Sequence, residues 1–317
     1  MKFAYLLSAT LLLGSGVHAE TLTVYSAGPK GLSNELIQGF ERQSGAKVDL
    51  YQATGGKIMS RYQAEKANPH VDVMISSSLG HAITLDNAGE LLAYQSPNAA
   101  KVPDFLKNAT YTAQGTAVLA IAYNTQSQLP VPKRWADLTK PEYKNKVTMP
   151  DPSKSGSALT LVEGLADQMG ESAWQLFADL KANDVLIPGP NKAALNPVLQ
   201  GAKSAVFGAV DYIGLGLKAK GETLEVIYPE DGTVLAPRPM MILKSTQHEA
   251  LAKKFVDYVL SDEGQTLVAD TLILPARTDI AAQRPGYAEL NLIQFDATAA
   301  AEKAKQTKDK FAQIMGH

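Results

Sequence analysis

The amino-acid sequence predicts an α/β protein made of two units, and three observations support this fold class. Short apolar strands alternate with amphipathic helices along most of the chain, a pattern typical of parallel βαβ units. The 317 residues are 45% hydrophobic and 20% charged, so one to three domains of about 100–200 residues each are expected. The chain contains no Cys, so the core must stabilise the fold without disulfides.

The first nineteen residues predict a secretory signal peptide. Lys2 is followed by an apolar run over 4–13, which is shorter than the roughly 20 residues of a membrane span. Val17 and Ala19 provide the small residues of a signal-peptidase site. We expect cleavage after Ala19 and an exported, periplasmic product that begins at Glu20. The alternative, a buried N-terminal helix, is disfavoured because the segment lacks the polar stripe of a surface helix.

The first α/β unit follows directly. Strand 21–25 precedes a helix with apolar residues at helical spacing, and Gly45 ends that pattern. A second strand begins at 48–50, a second helix runs from Gly55 to Glu65, and 71–75 forms a third strand. Strands and helices therefore alternate from the start of the predicted mature chain.

The second unit repeats the alternation after a strand at 118–123. Its further predicted strands are 147–149, 185–187, 205–208 and 224–228, and its predicted helices pass through Leu161 and Phe177 and cover 194–199. A return strand at 240–243 leads into two helices, whereas 97–116 is loop-like. With no flexible linker in the sequence, we expect lobes joined by short ordered strands. The predicted bounds are 20–120 plus about 235–280 for lobe I, about 121–234 for lobe II, and 281–317 for a C-terminal helical segment.

Several kinds of chemistry are not supported by the sequence. The formal net charge of −2 comes from interspersed charges, so no nucleic-acid partner is expected. No two His residues have the spacing of zinc ligands on one helix face, and no Gly-x-Ser-x-Gly nucleophile motif occurs. Gly55-Gly56-Lys57 resembles part of a phosphate loop, yet Tyr51 and Ile58 replace its first Gly and its Ser or Thr. We expect no metal, no cofactor and no catalytic residues.

Small polar residues and glycines gather where predicted strands lead into helices. These junctions are 26–28, 54–56, 76–78 and 153–157. At a helix N-terminus this composition lets backbone N–H groups reach an anion, and open α/β sheets bind ligands outside the carboxyl ends of their strands. The alternative for each junction is that its Ser only caps the helix.

Together, the leader, the two units and several sequence segments resemble the periplasmic solute-binding proteins of bacterial ABC importers over nearly all of the predicted mature chain. The segments that carry the resemblance are 22–26, 68–73, 135–138, 141–144, 151–157, 252–256 and 260–265. The nearest branch holds ferric-binding, hexose-phosphate-binding and 2-aminoethylphosphonate-binding proteins. The resemblance implies the class II periplasmic binding fold, in which two Rossmann-like lobes are joined by hinge strands. It also implies a monomer that delivers a small anionic ligand to an inner-membrane ABC permease.

By this resemblance, one set of residues would face the phosphoryl group of a ligand: Ser26, Gly56, Lys57, Ser77, Ser155, Gly156 and Ser157. Lys192 would add a positive charge, unless it is a solvated surface lysine. Asp211 and Glu230 would face hydroxyl or ammonium groups at the other end of the ligand. The alternatives are a helix N-cap for Asp211 and an exposed turn carboxylate for Glu230.

Ferric-binding members hold iron with two adjacent tyrosines, commonly aided by a His after the first strand. The matching positions here are Asp211-Tyr212 and Pro29, so only one phenolate remains. Tyr212 is then expected to be an aromatic wall of the cleft or part of its packing.

The sequence favours a phosphorylated or phosphonate organic ligand. Ferric iron or another oxyanion is the alternative ligand, and a secreted α/β hydrolase or transferase is the rival class of protein.

Overall fold

The computed structural model describes residues 20–316, so the predicted signal peptide at 1–19 lies outside the described residues. The strands are β1 Thr21–Ser26, β2 Lys47–Gln52, β3 Val73–Ile75, β4 Tyr111–Asn124, β5 Val147–Thr148, β6 Ala205–Val210, β7 Leu224–Ile227, β8 Leu235–Ile242 and β9 Leu274–Pro275. The helices are α1 Lys30–Ser44, α2 Gly55–Ala64, α3 Leu79–Asn87, α4 Gly156–Met169, α5 Glu171–Ala182, α6 Asn191–Leu199, α7 Asp211–Ala219, α8 Glu249–Val259, α9 Asp262–Asp270 and α10 Ala297–Met315. None of the helices between residues 20 and 316 has the length and apolar character needed to cross a bilayer.

The strands form a mixed sheet in the order β2-β1-β3-β8-β4-β6-β5, with β7 and β9 also paired to β4. β1 is parallel to β2 and β3 in lobe I, and β5 is parallel to β6 in lobe II. The long strand β4 pairs antiparallel with β8 over Tyr111–Val118 and then with β6 over Leu119–Tyr123. Its pairing with β8 shifts register between Ala113 and Thr116. β4 and β8 therefore run from one lobe into the other as hinge strands, which confirms the predicted fold class.

Each lobe buries its own apolar core. In lobe I, Phe40 of α1 meets Phe255 of α8 edge to face, with ring centroids 5.1 Å apart. In lobe II, Trp135 packs on Phe207 of β6 at 4.6 Å between centroids. The predicted end of α1 at Gly45 is confirmed, because this residue adopts a left-handed conformation with φ of 72°, which glycine adopts without a steric penalty.

The C-terminal helix α10 contacts both halves of the molecule. Phe311 and Met315 are buried in the core of lobe II, and the Phe311 ring lies 5.3 Å from that of Phe177. The same helix packs against α3, which belongs to lobe I. The sequence predicted a helical segment here without specifying its packing. The residue bounds given for the two lobes remain a prediction.

The structure differs from the sequence-based elements in several places. The segment 97–116, predicted to be loop-like, already contains the start of β4 at Tyr111. A helix was expected after the junction 76–78, but the bounds of α3 were not predicted, because its apolar face is short. The predicted strand 185–187 is a single bridge between Leu186 and Thr148. Asp184 enters this segment in a left-handed conformation with φ of 59°, so the chain turns immediately before it.

Glu163 of α4 is a buried carboxyl group, only 8% exposed. Burial raises its pKa from 4.5 to about 7, although Lys308 of α10 acts in the opposite direction. The folded state therefore holds a proton that the unfolded state releases, and the protein loses stability as the pH rises from about 4.5 to about 7.

Replacing Glu163 by Gln keeps the shape of the side chain and removes this ionisation. We expect the variant to gain at most about 3 kcal/mol over the wild type at pH 8 and less than about 1 kcal/mol at pH 5, since one pKa unit corresponds to about 1.4 kcal/mol. Urea unfolding at both pH values measures the difference. Glu35→Gln, at an exposed position of α1, is the control. An equal gain at both pH values would contradict the assignment.

Candidate functional site

A cleft of about 560 Å³ lies between the lobes. It is framed by the junctions that follow β1, β2 and β3 in lobe I, by the starts of α4, α6 and α7 in lobe II, and by the hinge strand β8. The residues that line it are Ala27, Gly28, Tyr51, Gln52, Ala53, Thr54, Gly55, Lys57, Ser77, Lys154, Ser155, Ser157, Pro190, Asn191, Lys192, Tyr212, Ile213 and Arg238. This position outside the carboxyl ends of the strands is where open α/β sheets bind their ligands.

On the lobe I side, the first turn of α2 faces the cleft. Thr54 caps this helix, and its hydroxyl oxygen accepts a hydrogen bond from the Lys57 backbone N–H at 3.4 Å. Gln52, just before the cap, donates its side-chain amide to the Gly28 carbonyl at 2.7 Å. This bond ties the junction after β2 to the junction after β1, so the helix N-terminus, with its partial positive charge, is held against the cleft.

On the lobe II side, a cluster of polar side chains joins the starts of α4 and α6. The Ser155 hydroxyl caps α4 by accepting from the Ala158 N–H at 3.3 Å and donates to the Asn191 side-chain oxygen at 2.8 Å. The Asn191 amide donates to the Ser157 hydroxyl oxygen at 3.1 Å. The capping alternative thus applies to Ser155, while the same cluster fixes two helix N-termini beside the cleft.

The two lobes touch at these helix starts. A methyl group at Gly156, the first residue of α4, would lie 2.8 Å from the Ser78 Cβ at the start of α3. A methyl group at Gly56 would lie 3.8 Å from the Ser153 carbonyl oxygen of lobe II. Gly156 therefore permits a backbone approach between the lobes that a larger residue would prevent.

The cleft is lined by cations. Lys57, Lys154, Lys192 and Arg238 border it, and no Asp or Glu side chain of the described residues is among its lining. Lys154 is paired with Asp151, just outside the lining, at 2.8 Å. A concave surface with charges of one sign raises the local concentration of ions of the opposite sign.

Arg238 contributes the most buried of these charges. It lies on the hinge strand β8 and is only 3% exposed. Its Nη2 donates to the Ala27 carbonyl oxygen at 2.6 Å, whereas its Nε has no hydrogen-bond acceptor. The guanidinium also faces the Tyr212 hydroxyl, whose pKa is raised mainly by burial and held back by this positive charge.

The structure brings most of the sequence-predicted site residues together. Lys57, Ser77, Ser155, Ser157, Lys192 and Tyr212 line the cleft. Gly56 and Gly156 lie beside them in the first turns of α2 and α4. Tyr212 has the position expected of a cleft wall.

The prediction that Asp211 faces the ligand is not met, because the structure does not place its carboxylate in the cleft. The residue is fully buried and forms an ion pair with Arg284. It also accepts hydrogen bonds from the backbone N–H groups of Val118 at 3.0 Å and Tyr212 at 2.7 Å, and from the Tyr228 hydroxyl at 3.1 Å. These partners use its hydrogen-bonding capacity, so Asp211 joins α7 to the hinge strand β4 and to the segment that carries Arg284.

The structure also places Glu230 and Ser26 outside the lining of the cleft, contrary to the prediction that they face the ligand. Glu230 is exposed and lies 3.8 Å from the Arg134 guanidinium on the outside of lobe II, as in the turn-carboxylate alternative. Ser26 is buried behind the cleft, where its hydroxyl oxygen meets that of Ser33 at 3.0 Å and accepts from the Gly28 N–H at 3.0 Å. Its role there is to shape the junction after β1.

The site residues predicted from the sequence omit six polar or charged residues that line the cleft: Tyr51, Gln52, Thr54, Lys154, Asn191 and Arg238. Arg238 offered a signal, since it is a lone charge between Pro237 and Pro239 in an otherwise apolar strand. Such a charge must either reach solvent or find a partner. Asn191 offered little, because an Asn at a helix start is common for capping alone.

The donor set of the cleft differs from the pair of adjacent tyrosines that the resemblance to ferric-binding proteins would require. The phenols at the cleft are those of Tyr51 and Tyr212, and the position before Tyr212 holds the buried Asp211 where ferric binders have a second tyrosine. No group of three or more His, Cys, Asp or Glu side chains within residues 20–316 is arranged to hold a metal ion. The lining lysines and Arg238 would moreover repel a trivalent cation.

Comparison with known proteins agrees with this architecture. A family model described as bacterial extracellular solute-binding protein matches residues 64–300. A putative 2-aminoethylphosphonate-binding periplasmic protein of Salmonella typhimurium is 24% identical over 87% of this chain and 85% of its own length. The periplasmic binding protein AfuA of Actinobacillus pleuropneumoniae, solved with fructose-6-phosphate bound, superposes with a TM-score of 0.87 at 23% identity, covering 94% of this chain and 99% of its own.

A third comparison is with an iron-bound protein of the same fold. Iron-bound HitA of Pseudomonas aeruginosa superposes with a TM-score of 0.83 at 21% identity, covering 93% of this chain and 99% of its own. At this identity the likeness concerns the fold alone. The resemblance inferred from the sequence is confirmed: the two-lobed chain with its hinge strands and interlobe cleft belongs to the bacterial extracellular solute-binding protein family and has the fold of the class II periplasmic binding proteins.

Proposed function

We propose that this protein captures a small organic anion bearing a phosphoryl or phosphonate group in the interlobe cleft and delivers it to an inner-membrane ABC permease. The single observation that carries the proposal is the lining of the cleft, which has four cationic side chains and no carboxylate among the described residues. Family membership supports solute binding, and the charge of the cleft supports the class of solute.

The helix starts supply the complementary hydrogen-bond donors. The first turns of α2 and α4 approach the cleft from opposite lobes, and the first N–H groups of a helix lack partners within the helix. Phosphoryl oxygens carry both the charge and the acceptor capacity that these donors match. Binding across both lobes would also favour a closed arrangement, because the ligand then bridges surfaces that are otherwise separate.

The alternatives have weaker support. A ferric ion as cargo would meet two phenols and four cations. A hydrolase or transferase would need a nucleophile, a base and an orienting group within hydrogen-bond reach. The Ser155, Ser157 and Asn191 cluster holds hydroxyls and an amide but no general base. We therefore propose a binding protein without a catalytic residue.

Thermal unfolding in the presence of candidate solutes tests the proposal. The panel is glycerol 3-phosphate, fructose 6-phosphate, 2-aminoethylphosphonate, inorganic phosphate, unphosphorylated glucose and ferric citrate. A ligand at 100 times its dissociation constant stabilises the folded state by about 2.7 kcal/mol, so at least one organic phosphate or phosphonate should raise the melting temperature by several degrees. Stabilisation by ferric citrate or glucose alone would overturn the proposal.

A further inference from the structure

Arg238 is a buried cation for which the described residues supply no counter-ion. Its side chain has no ion pair with a carboxylate among residues 20–316, and its only hydrogen bond goes to the Ala27 carbonyl oxygen. A buried charge is costly unless it is paired and hydrogen-bonded. The fold therefore keeps an uncompensated positive charge at the hinge side of the cleft.

A second buried arginine, Arg284, provides a comparison, because its positive charge is paired with a carboxylate. Arg284, whose side chain is 1% exposed, forms an ion pair with Asp211 and donates to the Tyr228 hydroxyl at 2.8 Å. Nε lacks an acceptor in both arginines, but only in Arg284 is the charge compensated. The two arginines also differ in position, because Arg238 lines the cleft and Arg284 does not.

Arg238 and the helix starts belong to different elements of the cleft wall. The guanidinium lies on β8 beside the Ala27–Gly28 junction, whereas α2 and α4 begin at Gly55 and Gly156. A volume of about 560 Å³ is far larger than one phosphoryl group and falls in the usual range for organic ligands. A cleft of this size can hold a ligand with two separate polar ends, one at the helix starts and the other at Arg238.

We infer that Arg238 binds a second acidic group of the ligand, so that the solute is a diacid with a phosphoryl or phosphonate group at one end and a carboxylate at the other. The inference rests on the proposed function and narrows it. A planar guanidinium matches a carboxylate in geometry and charge. An ammonium end is disfavoured because the described carboxylates Asp211 and Glu230 are engaged outside the cleft.

Two matched ligand pairs test the inference by isothermal titration calorimetry. 3-Phosphoglycerate and glycerol 3-phosphate differ in a carboxylate against a hydroxymethyl group, and 3-phosphonopropionate and 2-aminoethylphosphonate differ in a carboxylate against an ammonium group. We expect the acid of each pair to bind at least tenfold more tightly. In Arg238→Gln this preference should shrink to less than threefold, while Arg42→Gln, which removes an exposed charge from α1, should keep it.

The failures of the two proposals are distinguishable. Phosphoryl ligands that bind the wild type with no preference for the acid, or a preference that survives Arg238→Gln, would overturn the role of Arg238 and leave the proposed function standing. If no phosphoryl or phosphonate ligand binds, both proposals fail. Should Arg238→Gln not fold, Arg238→Lys keeps the charge without the planar fork, and the inference requires it to weaken 3-phosphoglycerate more than glycerol 3-phosphate.

Discussion

Replacing Asp211 by Asn is expected to lower the free energy of unfolding by about 3–5 kcal/mol, because removing one partner of a buried ion pair leaves the other charge uncompensated. Here the stranded charge is that of Arg284, whose side chain is 1% exposed. The amide has only one oxygen. If that oxygen accepts from the N–H groups of Val118 and Tyr212, the NH₂ group points toward the Tyr228 hydroxyl, where the carboxylate accepted a hydrogen bond. Urea unfolding measures the effect as a shift in midpoint at constant slope.

The control for this prediction is an exposed ion pair in the same lobe. Lys218 and Glu225 lie 2.7 Å apart, with side chains 48% and 40% exposed, and such surface pairs contribute about 0–1 kcal/mol. Glu225→Gln should therefore leave the midpoint nearly unchanged. An Asp211→Asn protein as stable as the Glu225→Gln protein would show that the hinge does not depend on the buried pair, and the carboxylate would again be a candidate for the ligand site.

The second large effect concerns Gly156, where α4 of lobe II meets the start of α3 in lobe I. Gly156→Asp places a side chain where a Cβ alone would approach the Ser78 Cβ to 2.8 Å, and adds a carboxylate next to the proposed phosphoryl position. We expect the affinity for the best ligand of the thermal panel to fall at least 100-fold, which corresponds to about 2.7 kcal/mol. Isothermal titration calorimetry measures the loss, and circular dichroism checks that the fold is retained.

Two companion variants separate the contributions to that loss. Gly156→Ala introduces the steric contact without the charge, so its loss should be smaller than that of Gly156→Asp. Gly31→Asp introduces the same charge in the first turn of α1, where a Cβ meets no other atom within 4 Å, and should bind within threefold of the wild type. Binding by Gly156→Asp at wild-type strength would place the ligand elsewhere.

The sequence predicted those parts of the structure that depend on neighbouring residues. The apolar spacing of α1 and its end at Gly45 are local features, and so is the Ser155-Gly156-Ser157 start of α4. Parallel strands align such junctions at one edge of the sheet, which is why most of the predicted cleft residues lie together. The hinge could be anticipated only as short connecting strands, since the pairing of β4 with both β8 and β6 joins distant segments.

Residues whose role depends on a distant partner were misplaced or missed. Asp211 opens α7, and an Asp at a helix start looks the same in sequence whether it faces a ligand or a buried cation. Its partner Arg284 lies in the segment before α10, where no sequence pattern links the two. Arg238 was missed for the opposite reason, because its importance lies in the lack of a carboxylate partner among the described residues.

The most direct test of the proposed site is a crystal structure of the protein with the tightest ligand of the thermal panel. We expect electron density between the lobes, with phosphoryl oxygens within hydrogen-bond distance, about 2.7–3.2 Å, of backbone N–H groups in the first turns of α2 and α4. The opposite end of the ligand should point toward Arg238. A ligand bound outside the cleft, or one held with its phosphoryl group away from both helix starts, would contradict the proposed site.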